Sequence, residues 1–193
     1  RNAYIGDTRN QIKSMVEDFE KSGANKETIG FSNSRLSYDE IISKFCYTIE
    51  IKTLRTKVIA SDIANKYRDD DKFSEKAVSI CQNTLNRFMN IVNNKQSDYK
   101  FVFNKATIFS WFVFIKQHAD LSDDCILKIM LTFEVVRDYL KGKNIPEDTA
   151  EFIKWYNLEN KIRPYLEVLI NTFNQRASMG STDALAIIYR DII

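Results

Sequence analysis

The stretch Asn104-Lys-Ala-Thr-Ile-Phe-Ser-Trp-Phe-Val-Phe-Ile-Lys-Gln-His118 decides the fold of this 193-residue chain. From Ile108 to Ile115 every residue except Ser110 is apolar, so a helix over this stretch has no face for water. A helix that is apolar all round is buried on all sides. It is too short to span a bilayer, which takes about 20 apolar residues. The sequence therefore predicts a central helix over about residues 104–118, surrounded by the other elements of the chain.

Amphipathic helices are predicted on both sides of this central helix, because apolar residues recur there at steps of three and four. We expect them over about Asp7–Lys21, from Ser37 past Ile49, from Ser61 or Asp62 to Tyr67, from Ser74 to Asn93, from Ser122 to Leu140, after Pro146, from Pro164 to about Arg176, and after Ser181. The predicted fold is all-α, an irregular multi-helix bundle of about eight to nine helices around the central apolar helix. We expect one helical domain over residues 1–193.

Several of the predicted helices begin with recognisable start signals. Ser37-Tyr-Asp-Glu40 has the Ser-x-x-Glu form of a capping box, in which the hydroxyl and the carboxylate satisfy free amides at the helix start. Ser74 and Ser122 are predicted to cap their helices in the simpler way, through the hydroxyl alone. Pro164 lacks the amide that a continuous helix needs, so we favour a new helix at this point over a kink.

The composition excludes several classes of function. The 28 basic and 26 acidic residues give a formal charge of +2, so no general field attracts nucleic acid or membrane. Cys46, Cys81 and Cys125 are odd in number, far apart in sequence and without a Cys-x-x-Cys pair, which argues against a zinc site or a disulfide framework. We therefore expect a reduced, cytoplasmic setting.

The sequence offers little reactive chemistry. The single histidine, His118, lies at the polar end of the central helix, where a helix-end role is favoured over a metal ligand or a base. The acidic groups Asp69–Asp71 and Asp123–Asp124 could hold magnesium, but a solvated turn and a helix cap are favoured. No catalytic, cofactor-binding or metal-binding residue is predicted, and neither is a membrane partner.

Basic residues flank the irregular segment that follows Glu50. This cluster comprises Lys52, Arg55, Lys57, Lys66 and Arg68, and smaller groups are Lys141 with Lys143 and Lys161 with Arg163. Such residues supply phosphate contacts in nucleic-acid complexes. If the chain binds nucleic acid, we expect Arg35, Arg55, Lys57 and Arg68 to carry the binding.

The order of several short motifs resembles a known prokaryotic family. These motifs are Arg1-Asn2-Ala3, Gly6, Gly30-Phe-Ser-Asn-Ser-Arg-Leu36, then Phe45, Tyr47 and Glu50, then Tyr67, Leu85 and Phe88, and finally Asn104-Lys-Ala with Ile108 and Phe109. Together they span most of the chain. The arrangement resembles the segment that follows the catalytic-type domain in the family catalogued as domain of unknown function 262, which includes GmrSD-type modification-dependent restriction systems.

The resemblance implies that the chain is a fragment of a longer phage-defence or restriction-like protein, whose amino-terminal catalytic-type domain lies outside it. The family's Asp-Gly-Gln-Gln-Arg motif and the His-Asn-His nuclease domain of some relatives have no counterpart here, so no catalytic residue is carried over. The leading hypothesis is a helical scaffold and interaction domain that is not catalytic alone, in a parent that resembles NTP-dependent nucleases. Its expected partners are the amino-terminal domain, DNA and a second copy of the chain. The alternatives are a nucleic-acid-binding module and an unrelated helical domain for protein interaction or oligomerisation.

Overall fold

The computed structural model describes residues 6–53, 58 and 60–178. These residues form nine α-helices and two 3-10 turns, with no β-strand among them. The helices are α1 (Asp7–Lys21), α2 (Lys26–Ile29), α3 (Ser37–Glu50), α4 (Ala60–Arg68), α5 (Glu75–Asn93), α6 (Lys105–Gln117), α7 (Asp123–Leu140), α8 (Ala150–Leu158) and α9 (Arg163–Ser178). The 3-10 turns are Ser34–Leu36 and Glu147–Thr149. The predicted all-α multi-helix bundle is confirmed. The predicted last helix, after Ser181, lies outside the described residues.

Helix α6 is buried almost all round, as its sequence predicts. Between Ile108 and Ile115 only Ser110 and Phe114 are half-buried, and the other side chains are buried. Phe112 is fully buried. The rings packed around it, with their centroid distances, are Phe88 of α5 at 5.1 Å, Phe45 of α3 at 5.4 Å and Phe19 of α1 at 6.0 Å. Burying one such side chain contributes about 1.5–3 kcal/mol. Within the described residues no helix has the length and apolarity needed to cross a bilayer.

The predicted single-hydroxyl caps are confirmed. The Ser74 hydroxyl accepts a hydrogen bond from the Ala77 amide at 3.3 Å, and the Ser122 hydroxyl accepts one from the Cys125 amide at 3.2 Å. Asn104 caps α6 in the same way, with its side-chain oxygen 2.9 Å from the Thr107 amide nitrogen. Each cap satisfies one of the amides that lack a partner inside the helix.

The predicted capping box at Ser37 is wrong, although α3 does begin at this residue. Leu36 occupies the N-cap position in the left-handed conformation, at φ 58°, and makes no side-chain cap. The Ser37 hydroxyl instead donates to the Ser34 carbonyl at 2.7 Å. The Asn33 side-chain oxygen accepts from the Tyr38 amide at 2.8 Å and takes over the capping role. Ser37 is already helical, at φ −66° and ψ −38°, so it is the first residue of α3 and cannot act as its N-cap. The Glu40 carboxylate binds Lys44 and Lys105.

The two prolines mark interruptions in the chain. An α-helix was expected to begin at Pro146, but a 3-10 turn follows this residue and α8 begins only at Ala150. Helix α8 ends at Leu158, and α9 begins at Arg163, one residue before Pro164. Pro164 therefore lies in the first turn of a new helix, where its missing amide has no intrahelical role.

An extended segment leads from α5 into α6 and fills part of the core. Tyr99, Phe101 and Phe103 are buried, whereas Lys100 and Val102 between them are exposed. The rings of Phe101 and Phe103 stack with centroids 5.0 Å apart. The run Phe101–Phe103 contains three consecutive apolar residues, so the sequence alone does not reveal this alternation of buried and exposed side chains.

Candidate functional site

A cleft of about 710 Å³ opens where α3 and α6 end and α5 begins. Its floor is formed by apolar side chains, namely Phe45, Ile49, Ala77, Ile80 and Val113. Three exposed lysines line its rim, Lys52, Lys76 and Lys116. We call this feature the lysine cleft. Its volume lies in the range of about 300–1,000 Å³ that is usual for small-molecule sites.

Each rim lysine comes from a different helix end. Lys52 follows α3 in a turn closed by its amide, which donates to the Ile49 carbonyl at 3.2 Å, and its backbone is left-handed at φ 55°. Lys76 lies in the first turn of α5, and Lys116 in the last turn of α6. A lysine near a helix C-terminus is favourable, whereas Lys76 faces the positive end of the α5 dipole. Helix stability alone therefore does not favour the charge of Lys76.

Glu50 is the carboxylate that lines this cleft, and it is already engaged. It accepts hydrogen bonds from the Ser74 amide at 3.2 Å and from the Ser74 hydroxyl at 2.5 Å. Its carboxylate also lies 3.9 Å from the Lys66 ammonium group. Glu50 thus compensates the positive start of α5. Within the described residues, the ion pairs formed by lysines involve none of the three rim lysines.

The residues predicted to bind nucleic acid are only partly described. Arg55 and Lys57 lie outside the described residues. Arg35 is exposed in the 3-10 turn before α3, and Arg68 is exposed at the end of α4, 3.1 Å from the Asp69 carboxylate. Direct nucleic-acid binding by these residues stays a prediction.

Lys66 does not belong to the basic surface in which the sequence analysis placed it. Only 7% of this residue is exposed. Its ammonium group lies 2.7 Å from the Asp71 carboxylate and 4.8 Å from the centroid of the Phe73 ring. Buried lysines need such partners. Lys66 therefore joins α4 to the segment before α5 and is not available to a phosphate.

The acidic run Asp69–Asp71 forms a turn that is tied to the rest of the chain. Besides the ion pairs of Asp69 and Asp71, the Asp70 carboxylate accepts from the Thr8 amide at 2.9 Å. This backbone hydrogen bond lowers the pKa of Asp70. In the described part of the chain, no group of three or more histidine, cysteine or acidic side chains could hold a metal ion.

His118 ends α6 and packs its ring against Phe114, with centroids 4.4 Å apart. Its carbonyl oxygen lies 3.5 Å from a guanidinium nitrogen of Arg87. Arg87 also binds the Asp123 carboxylate at 2.7 Å. These contacts join the end of α6 to the start of α7 and agree with the helix-end role favoured for His118.

A buried charge cluster joins α6 to α7, and sequence reasoning missed it. The Glu134 carboxylate accepts a hydrogen bond from the Trp111 indole at 2.9 Å and lies 2.5 Å from the Arg137 guanidinium. The guanidinium also donates to the Thr107 hydroxyl at 3.3 Å. Burial raises the pKa of Glu134. The second half of α7 buries the charged residues Glu134, Arg137 and Asp138, whereas the apolar Leu140 at its end is exposed. The i, i+3 spacing of Glu134 and Arg137 was the available signal.

Cys46 of α3 and Cys81 of α5, which are far apart in sequence, lie side by side in the core as free thiols. Burial, together with the neighbouring Cys46 thiol, raises the pKa of Cys81 well above its usual value. A buried thiol of this kind is inert as a nucleophile. The pair therefore packs as two small apolar side chains.

Exposed apolar side chains lie along α8, α9 and the turn between them. They are those of Trp155, Leu158, Ile162, Tyr165 and Val168, of which Tyr165 is 79% exposed, Leu158 68% and Val168 66%. We call this feature the apolar strip. The other face of α9 packs inward, where Phe173 contacts Phe133 with ring centroids 5.1 Å apart. Helix α9 thus carries apolar residues on both faces, as expected of a helix that lies between two packed surfaces.

Comparison of the chain with models of known families, with curated proteins and with solved structures finds no match. The resemblance to the domain of unknown function 262 family stays a prediction.

Proposed function

We propose that this chain is a helical scaffold and interaction domain, not catalytic alone, that binds a protein partner through the apolar strip. The observation that carries the proposal is the exposure of Leu158 at the end of α8 and of Tyr165 and Val168, three residues apart, on α9. Contiguous apolar surface of this kind is rare on monomeric proteins and marks interaction sites. The partner surface is expected to be apolar as well.

The resemblance described above indicates which partner to expect. In a restriction-like or phage-defence protein, the domain would support the amino-terminal catalytic-type domain and hold it in place. Helix α9 is suited to this role, because its inner face is anchored on the bundle through Ile170 and Phe173 while its outer face is free within the described residues. A second copy of the chain is the other partner that an apolar strip can bind.

The test compares hydrogen exchange of the 193-residue chain with that of the longer protein. We expect the amides of α8 and α9 to exchange more slowly in the longer protein, where the partner covers them. The double variant Tyr165→Glu/Val168→Glu should remove this protection, because two carboxylates would have to be buried unpaired. The matched control Asn10→Glu/Ser14→Glu, on exposed positions of α1, adds the same charge and should leave the protection unchanged.

Sedimentation velocity separates the two partners. If a second copy covers the apolar strip, the chain alone sediments faster as its concentration rises, and Tyr165→Glu/Val168→Glu abolishes the effect. The proposal is wrong if α8 and α9 exchange equally in the chain and in the longer protein and the chain also stays monomeric at all concentrations.

A further inference from the structure

The lysine cleft combines an apolar floor with a positively charged rim. Its floor includes Phe45 and Val113, which belong to the buried core, and Ile49 and Ile80, which are half-buried. Its rim carries three positive charges. Most of its lining can thus contact an apolar group, while its mouth attracts an anion.

The charges at the rim are not compensated within the described residues. Glu50 lies at the cleft, but its two oxygens are held by Ser74 and it faces Lys66. Elsewhere in the described residues, Lys44 and Lys105 share the Glu40 carboxylate, at 2.9 Å and 2.7 Å. The three lysines that line the lysine cleft have no free carboxylate among the described lining residues. An anion from solution can take that place.

We infer that the lysine cleft binds a small amphiphilic anion, with its carboxylate or phosphate headgroup at Lys52, Lys76 and Lys116 and its apolar body against Ile49, Ile80 and Val113. This site is independent of the apolar strip and of the proposed function. A nucleic acid fits less well, because its phosphates follow an extended surface, whereas these lysines converge on one concave, apolar site.

Calorimetric titration with octyl phosphate and with octanoate tests the inference and covers both headgroups. We expect at least one of these probes to bind at a single site, with an affinity that falls as salt is added. Inorganic phosphate and octanol, which carry only the headgroup or only the apolar body, should bind much more weakly. The probe should also shift the methyl resonances of Ile49, Ile80 and Val113 in the nuclear magnetic resonance spectrum.

Two variants test the two halves of the site. The triple variant Lys52→Gln/Lys76→Gln/Lys116→Gln should weaken binding about tenfold, as expected when three exposed ion pairs are lost together. Ile80→Ser should weaken binding several-fold by removing apolar contact. The matched control Lys26→Gln/Lys100→Gln/Lys128→Gln removes the same charge from exposed positions and should leave the affinity within about twofold.

Several results would overturn the inference. They are the absence of binding by both amphiphiles, equal binding by the triple variant and its control, and methyl shifts confined to Leu158 and Val168 of the apolar strip. Binding of inorganic phosphate or of a short single-stranded DNA as tight as that of octyl phosphate would also overturn it, because the lysines would then serve a phosphate or nucleic-acid site without an apolar component.

Discussion

Gly30 joins the end of α2 to the extended segment that leads into α6. Its backbone is left-handed at φ 95°, and a Cβ atom built on it would lie 2.9 Å from both the Phe103 nitrogen and the Val102 Cα. The adjacent Ile29 carbonyl accepts from the Phe103 amide at 3.1 Å. Any side chain at position 30 would therefore push two pieces of backbone apart, and backbone cannot move aside as a flexible side chain can.

We expect Gly30→Ala to lower the free energy of unfolding by about 2–4 kcal/mol, because it adds a backbone clash to the strain of a left-handed alanine. Gly142→Ala is the matched control, since Gly142 is also left-handed, at φ 71°, but has no atom within 4 Å of its Cβ position. Gly142→Ala should lower the free energy of unfolding by only about 1 kcal/mol. Urea denaturation of both variants checks the difference, and equal losses would contradict the clash.

Glu40 is the residue whose ionisation matters most clearly for stability. Partial burial raises the pKa of its carboxyl, but hydrogen bonds and charges from Lys105 and Lys44 outweigh that effect and lower the pKa from 4.5 to about 2. Between these two values the folded state binds fewer protons than the unfolded state. Stability therefore increases with pH through this window. The ion pairs contribute fully above about pH 4.5 and are lost as the pH falls towards 2.

We expect Glu40→Gln to lower the free energy of unfolding by about 1–2 kcal/mol near neutral pH, which is less than the full pKa shift implies because solvent screens a partly exposed pair. The difference from wild type should shrink below about pH 4.5 and vanish near pH 2. Denaturation curves across this range measure it. Glu17→Gln, which removes an exposed carboxylate 3.9 Å from Lys13, is the control and should change stability by less than about 0.5 kcal/mol. A pH-independent difference for Glu40→Gln would contradict the account.

At the scale of elements, α6 is the helix whose sequence leaves no polar face, and other helices pack on it from several sides. Phe112 has no exposed surface and touches rings from three other helices, whereas Phe114 on the same helix is half-buried against Trp111 and His118. The two positions therefore separate the effect of central burial from the effect of removing a ring.

We expect Phe112→Ala to lower the free energy of unfolding by about 3–5 kcal/mol. The substitution leaves a cavity that the surrounding rings cannot fill without moving their own helices. Phe114→Ala should cost clearly less, since solvent can occupy part of the space. Thermal and urea unfolding of the two variants check this order. A smaller loss for Phe112→Ala than for Phe114→Ala would contradict the packing of Phe112 among the rings of three other helices.

Helix starts show where element-level prediction succeeds and where it fails. Ser74 and Ser122 were predictable as caps because the hydroxyl bonds an amide only three residues ahead. The cap of α3 was not, because Leu36 is left-handed and Ser37 is already helical, so the N-cap position falls one residue before the serine. A capping motif predicts the bond only when the backbone places its first residue at the N-cap.

For the whole molecule, apolar periodicity was enough to predict the fold class, because Ile108–Ile115 leaves no polar face and its neighbours each have one. The candidate site could not be predicted in the same way. Lys52 belongs to a basic cluster in the sequence, but its place beside Lys76 and Lys116 at one cleft depends on how three helix ends meet. The burial of Lys66 and of Arg137 likewise depends on partners that periodicity does not reveal.

The three cysteines differ in burial, so the rates at which they are chemically labelled can measure how the protein unfolds. Cys125 is half-buried in the first turn of α7, while Cys46 and Cys81 have no exposed surface. A thiol-labelling reagent will therefore modify Cys125 early. It will reach Cys46 and Cys81 only in molecules whose core has unfolded. The mass added over time would distinguish local fraying from global unfolding, without any engineered probe.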